Sequence, residues 1–158
     1  MDKDYVCCFS GHRFLPASEL PGLMNRLVKT ITGLAAKGVI YYGSGAAHGF
    51  DLIAANAVLR LRETNGAVKL IMVLPFRGQD ERWSTNERLE YRRVINAADK
   101  VVCLSERYYE GAYEARNRHL VEHSGICVAY MTNERSGTGQ TVRFAQARGL
   151  EVINLAIE

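Results

Sequence analysis

Short apolar runs alternate with amphipathic stretches along almost the whole chain, and few folds admit that alternation. Strands are predicted over Tyr5–Phe9, Val39–Tyr42, Val68–Leu74, Val101–Leu104, Ile126–Met131 and Val152–Leu155. Helices are predicted between them over Glu19–Lys37, Gly49–Arg62, Thr85–Asn96, Glu114–His123 and Gly139–Arg148. In the first helix Leu20, Leu23, Leu27, Ile31 and Leu34 recur at helical spacing, and Gly38 is placed to end it. The run Leu70–Leu74 is apolar throughout, as a strand covered on both faces requires. The expected class is α/β: a Rossmann-like, mainly parallel sheet with helices on both faces.

Length fits a single domain spanning 1–158, because no linker, repeat or low-complexity tract interrupts the 158 residues. No stretch approaches the roughly 20 apolar residues that span a bilayer. The N-terminal MDKDYVCCFSGHR lacks the basic segment and long apolar core of a secretory signal. A cytoplasmic protein with no membrane partner is expected. Cys7, Cys8, Cys103 and Cys127 each sit in an apolar run and read as buried thiols of a reducing compartment, with no disulfide. Cys7 and Cys8 are neighbours in a strand and point to opposite faces. The formal charge is +3, which makes nucleic acid an unlikely partner. The bases are fifteen arginines against five lysines, and arginine's planar fork suits phosphate.

In such a sheet, ligands bind outside the carboxyl ends of the strands. The loops that follow strands therefore carry the candidates. After the first strand come Gly11, His12 and Arg13, a glycine-opened turn with one possible phosphate partner in Arg13 and a donor in His12; a solvated surface turn is the plain alternative. After the second come Gly43, Ser44, Gly45, Gly49 and Asp51. Small residues there expose a helix N-terminus, whose amides and dipole favour anions. Asp51 suits that dipole in the first helical turn, or takes a ribose hydroxyl.

The third such loop holds Gln79 and Trp83, the chain's one tryptophan, either packed on the body or walling a base. The last holds Ser136, Gly137, Thr138 and Gly139, at once a helix cap and an anion nest. The stretch His119–His123 has the spacing of an inverted zinc-protease motif, but no further acidic ligand follows it, and no metal is expected.

Together these motifs resemble the YpsA-like proteins of the SLOG superfamily, named for the Smf/DprA DNA-uptake proteins and the LOG phosphoribohydrolases. The resemblance runs from about Tyr5 to Leu155. It rests on Ser10–Arg13, the Gly-Ser-Gly-Ala-x-x-Gly-x-Asp of residues 43–51, the Pro-Phe-x-x-Gln-x-x-x-Trp of 75–83, Ser105–Tyr108, Arg116–Arg118 and Ser136–Thr138. It implies a Rossmann-like fold with a pocket for a nucleotide or nucleotide-derived ligand. LOG enzymes place a glutamate three residues after a Gly-Thr pair; that position here is Thr141.

The expected function is binding of a phosphate-bearing, nucleotide-type small ligand, as a sensor or regulator. Backbone amides of Gly43–Ala46 and Gly137–Gly139 hold phosphate in this reading, with Arg13 and Arg116 neutralising it. Asp51 or Asn117 takes the ribose, and Trp83 borders the base. No cofactor is called for beyond a bound nucleotide or phosphate. A homo-oligomer is compatible with the reading. The alternative is a hydrolase of N-glycosidic or phosphate bonds using Asp51, Glu81 or Glu114. A weaker one is single-stranded DNA binding, with Tyr108, Tyr109 and Tyr113 as stacking rings.

Overall fold

A computed structural model describes residues 2–156. Within them lie β1 (Val6–Gly11), α1 (Leu20–Ala36), β2 (Tyr41–Ser44), α2 (Phe50–Thr64), β3 (Lys69–Leu74), α3 (Thr85–Ala97), β4 (Lys100–Cys103), α4 (Ala112–Glu122), β5 (Ile126–Tyr130), α5 (Gly137–Ala147) and β6 (Glu151–Asn154). The strands form one sheet in the order β4-β3-β2-β1-β5-β6, with every neighbouring pair parallel. This is the Rossmann-like α/β architecture that the alternation implies.

Local chemistry sets the element ends. Pro21 opens α1 where a missing amide proton costs nothing, and Gly38 leaves it at φ 97°. Ser84 and Glu87 form a reciprocal capping box on α3. The Ser136 hydroxyl accepts from the Gly139 amide at 3.0 Å and starts α5.

Parallel connections of one hand put α1, α2 and α3 on one face and α4 and α5 on the other. Cys7, Phe9, Tyr42, Leu70 and Met72 pack under the first three helices, against Leu23, Leu27, Ile31, Val58 and Val94. Cys8, Val73, Cys127 and Ala129 pack under the other two, against Leu120, Val121, Val142 and Ala145. Each fully buried aliphatic side chain contributes about 1.5–3 kcal/mol.

Three expectations shift. The second strand lies two residues later than periodicity suggests, because Gly43 pairs in register with Cys8 and Ile71, and Ser44 with Met72. Gly43 is therefore sheet, not loop; a Cβ there would sit 2.9 Å from Leu120 of α4. The first strand likewise continues through Gly11, which pairs with Tyr130. Cys103 is exposed, unlike the other three thiols, because β4 is an edge strand. All four cysteines are free. No helix among the described residues is long and apolar enough to cross a membrane.

Candidate functional site

The chain leaves β1 toward β2 on one side and later returns through β5 on the other. The loops after β1 and β5 diverge there, and a crevice opens between them. It holds a cleft of about 380 Å³. Its wall comes from the end of β1, the start of α2, the first half of α4 and the first turns of α5.

The β1 end is clamped by backbone. The His12 amide donates to the Tyr130 carbonyl at 3.3 Å, and the Phe50 amide donates to the His12 carbonyl at 3.1 Å. Gly11 carries no side chain because Phe50 occupies the space a Cβ would need. His12 Nε2 accepts from the Thr132 amide at 2.9 Å, so its proton resides on Nδ1. Burial lowers its pKa, which keeps the ring neutral. Arg13 is exposed, and its guanidinium lies 4.7 Å from the centre of the Tyr113 ring. No carboxylate among the described residues pairs with it.

The loop after β2 is held from below. Arg116 is 4% exposed and donates from Nη1 to the Gly45 carbonyl at 2.6 Å. Its Nε donates to Asn117 Oδ1 at 2.8 Å. A Cβ on residue 45 would lie 2.5 Å from that guanidinium, which is why glycine stands there. Gln79 donates to the same Gly45 carbonyl and to Tyr91, at 3.3 Å each. The Ser44 hydroxyl donates to the Asp51 carbonyl at 2.8 Å and accepts from the Ala46 amide. Ala46 has φ 59° and Gly49 φ 92°; at Gly49 a side chain would run into the Arg13 carbonyl.

Asp51 is buried at the start of α2 and lines the cleft. Burial pushes its carboxyl up to about 6, against the opposing pull of Arg116, the Ala47 amide and Arg13. Burial also presses the Arg116 pKa down, with Asp51 pulling it back; the guanidinium stays charged all the same. Opposite, the first turn of α5 turns Gly137 and Thr138 toward the cleft, while the Ser136 cap is spent on Gly139. The Thr141 hydroxyl donates back to the Gly137 carbonyl at 3.1 Å. Asp51 and Glu114 are the carboxylates in the cleft wall.

The sheet thus brings Gly11, His12, Arg13, Asp51, Arg116, Asn117, Gly137 and Thr138 to one cleft. Gly43, Ser44, Gly45, Ser136 and Gly139 do not line it; they shape the backbone of the strand and loops that lead to it. Two expected residues are elsewhere. Gln79 is buried beneath the second loop, and Trp83 packs its ring 5.1 Å from Tyr91 and 6.2 Å from His48. Tyr113 and Phe144 are the aromatic residues that line the cleft in its place, with the His12 imidazole beside them. Glu81 is not in the wall either. Gln140 lies in the wall within the expected 136–141 loop, and Arg118 and Phe144, which carry no role in the sequence pattern, lie there too. Their spacing was the available signal: Gln140 and Phe144 follow Gly137 by three and seven residues, so they share its helix face.

The model of the YspA SLOG family matches residues 17–149. The uncharacterized SPbeta prophage-derived protein YoqJ of Bacillus subtilis is 27% identical over 137 residues, covering 78% of this chain and 80% of that protein. A UPF0398 protein of Halalkalibacterium halodurans is 30% identical over 121 residues, covering 75% of this chain; the chain spans 64% of that relative's length. Among solved structures, DNA processing protein A from Helicobacter pylori superposes with a TM-score of 0.66 at 22% identity, over 93% of this chain and 63% of that one. The same protein from Streptococcus pneumoniae gives 0.63 at 22% identity, over 92% and 48%.

These likenesses correct one expectation. On the small net charge alone, nucleic acid is an unlikely partner. The Helicobacter protein's structure is described by its single-stranded DNA binding mode, so this fold does carry such binding there. Net charge is a whole-chain sum and does not report local clustering, and here Arg13, Arg116 and Arg118 gather at one cleft.

Proposed function

The chain belongs to the YspA SLOG family, and on that footing we propose that its cleft binds a phosphate-bearing, nucleotide-type ligand as a sensor or regulator. One observation carries the reading: Gly137 and Thr138 from the first turn of α5, Arg13 and Arg118 all line the same 380 Å³ cleft. Helix amides and the helix dipole suit phosphate oxygens. Arginine adds charge-assisted bonds. In this reading Gly137, Thr138 and Arg13 take the phosphate, Asp51 or Asn117 takes the ribose, and Tyr113 borders the base.

Binding without turnover fits the local chemistry. Thr141 stands where LOG enzymes carry glutamate, and its hydroxyl is already engaged with Gly137. Calorimetric titration with inorganic phosphate and a panel of nucleoside phosphates tests the reading. Saturable binding of at least one nucleotide, with no free base or phosphate released on long incubation, supports it. Release of free base moves the protein to the hydrolase class, with Glu114 and Asp51 as its acid–base candidates. Binding of none of the panel removes the reading.

A second reading, single-stranded nucleic acid with one nucleotide seated in the same cleft, is favoured by the likeness to DNA processing protein A. It predicts oligonucleotide binding that weakens steeply with salt.

A further inference from the structure

Beside the cleft lies a cluster of three aromatic rings. Tyr113 forms part of the cleft wall. Phe76 meets it edge-on at 5.6 Å and meets Tyr108 edge-on at 5.4 Å. Tyr108 and Tyr113 are 6.3 Å apart. Phe76 is buried, whereas Tyr108 keeps 61% of its surface open. An open tyrosine of this kind contributes little to the core, yet its position is tightly determined.

The loop that carries Tyr108 is pinned at several points. The Arg77 amide donates to the Ser105 carbonyl at 3.0 Å, and the Ser105 hydroxyl donates to the Arg107 carbonyl at 2.8 Å. Arg77 and Glu106 pair at 3.0 Å. The Ala112 amide donates to the Tyr109 carbonyl at 3.1 Å and leads into α4. The ring is therefore oriented before any ligand arrives, which lowers the ordering cost of stacking on it.

We propose that Tyr108, braced by Phe76 and Tyr113, is a base-stacking platform outside the cleft, and that the ligand is a single-stranded oligonucleotide of two or more units. One nucleotide occupies the cleft. The base of the next stacks on Tyr108. Arg13, held over the Tyr113 ring, faces the phosphate that joins them. Aromatic platforms accept any base, because every base has a π-face. This inference rests on the nucleotide reading of the cleft, and the experiment separates the two.

Affinities are measured by calorimetry for thymidine monophosphate, a thymidylate dinucleotide and an inorganic phosphate control. The proteins are wild type, Tyr108→Ala, Tyr108→Trp and Arg13→Ala, with thermal melts as the check on folding. The platform predicts that wild type binds the dinucleotide at least tenfold more tightly than the mononucleotide. Tyr108→Ala loses that gain and leaves mononucleotide affinity unchanged, and Tyr108→Trp keeps it. Equal affinity of wild type for the two ligands overturns the platform and leaves the cleft reading intact. So does an equal loss for both ligands in Tyr108→Ala. Absence of mononucleotide binding in wild type overturns the cleft reading itself.

Discussion

The guanidinium of Arg116, buried beneath the loop after β2, donates to the carbonyl of Gly45 at 2.6 Å and fills the space a side chain on residue 45 would need. A cation from α4 thereby sets the shape of a loop seventy-one residues earlier in the chain. Gly45→Ala places a methyl group against a charged, close-packed partner. A loss of about 1–3 kcal/mol is expected, as for overpacked cores. Arg116→Met leaves the Gly45 carbonyl with Gln79 as its remaining donor and removes the cation facing Asp51, at a cost of about 1–3 kcal/mol. Urea titration of both variants measures these losses, and wild-type midpoints would separate Arg116 from the loop.

Gly49 meets two constraints at once: φ of 92° and direct apposition to the Arg13 carbonyl. Gly49→Ala incurs roughly 1–3 kcal/mol for a positive-φ backbone that residues with a side chain rarely adopt. The displaced Arg13 segment adds to that. A lower melting temperature is expected together with weaker nucleotide binding, since Arg13 moves with its carbonyl. A variant that melts and binds like wild type would show that the two segments are not coupled.

Arg13→Ala separates binding from folding. Its side chain is exposed and rests on Tyr113, so melting should change by less than about 0.5 kcal/mol equivalent. Losing one charge-assisted bond of ~1.5–3 kcal/mol predicts roughly tenfold or greater weakening of a phosphorylated ligand. Calorimetry alongside thermal melts tests both halves. Unchanged affinity removes Arg13 from the site, and a large drop in melting temperature reassigns it to structure.

Asp51 makes stability depend on pH with a definite sign. Its folded carboxyl titrates at about 6, above that of an unfolded aspartate near ~3.9. Between those values the folded chain holds the proton that the unfolded chain has released. The contribution is therefore complete below about 4 and is lost as pH rises through about 6, on the order of 3 kcal/mol in total. Asp51→Asn should flatten this part of the stability profile. Parallel profiles for the two proteins across that window would show that Asp51 titrates normally.

The thiols should divide by burial. Cys103 sits on the edge strand and is exposed; Cys7, Cys8 and Cys127 are buried. A chromogenic disulfide reagent should modify one thiol quickly in the native protein and all four after denaturation. Burial also raises the Cys7 thiol pKa, which slows it further. Fewer than four thiols in freshly denatured, unreduced protein would contradict the assignment.

The sheet was legible in the residues because its cause is local. Runs such as Leu70–Leu74 and the spaced Leu23, Leu27 and Ile31 can bury themselves only as strand and helix, and Gly38, Ser84 and Ser136 mark the ends by their own backbone and hydroxyl chemistry. Topology then carried Arg13, Asp51 and Gly137 to one edge, since every loop after a parallel strand emerges there. Which side chains face the cleft was a different matter. Trp83 and Tyr113 are both aromatic residues beside strand-following loops, and nothing in their own neighbourhoods tells them apart. The assignment depends on α4 lying across the sheet from α3. That arrangement turns Tyr113 toward Arg13 and leaves Trp83 against Tyr91. Gly43 and Gly45 likewise look like parts of one flexible loop, until Leu120 and Arg116 of α4 are packed over them. The chain's own pattern determined the elements and the edge at which they open. The tertiary packing of helices distant in sequence decided which residues meet there, because side-chain contact depends on separations in space that no local spacing encodes.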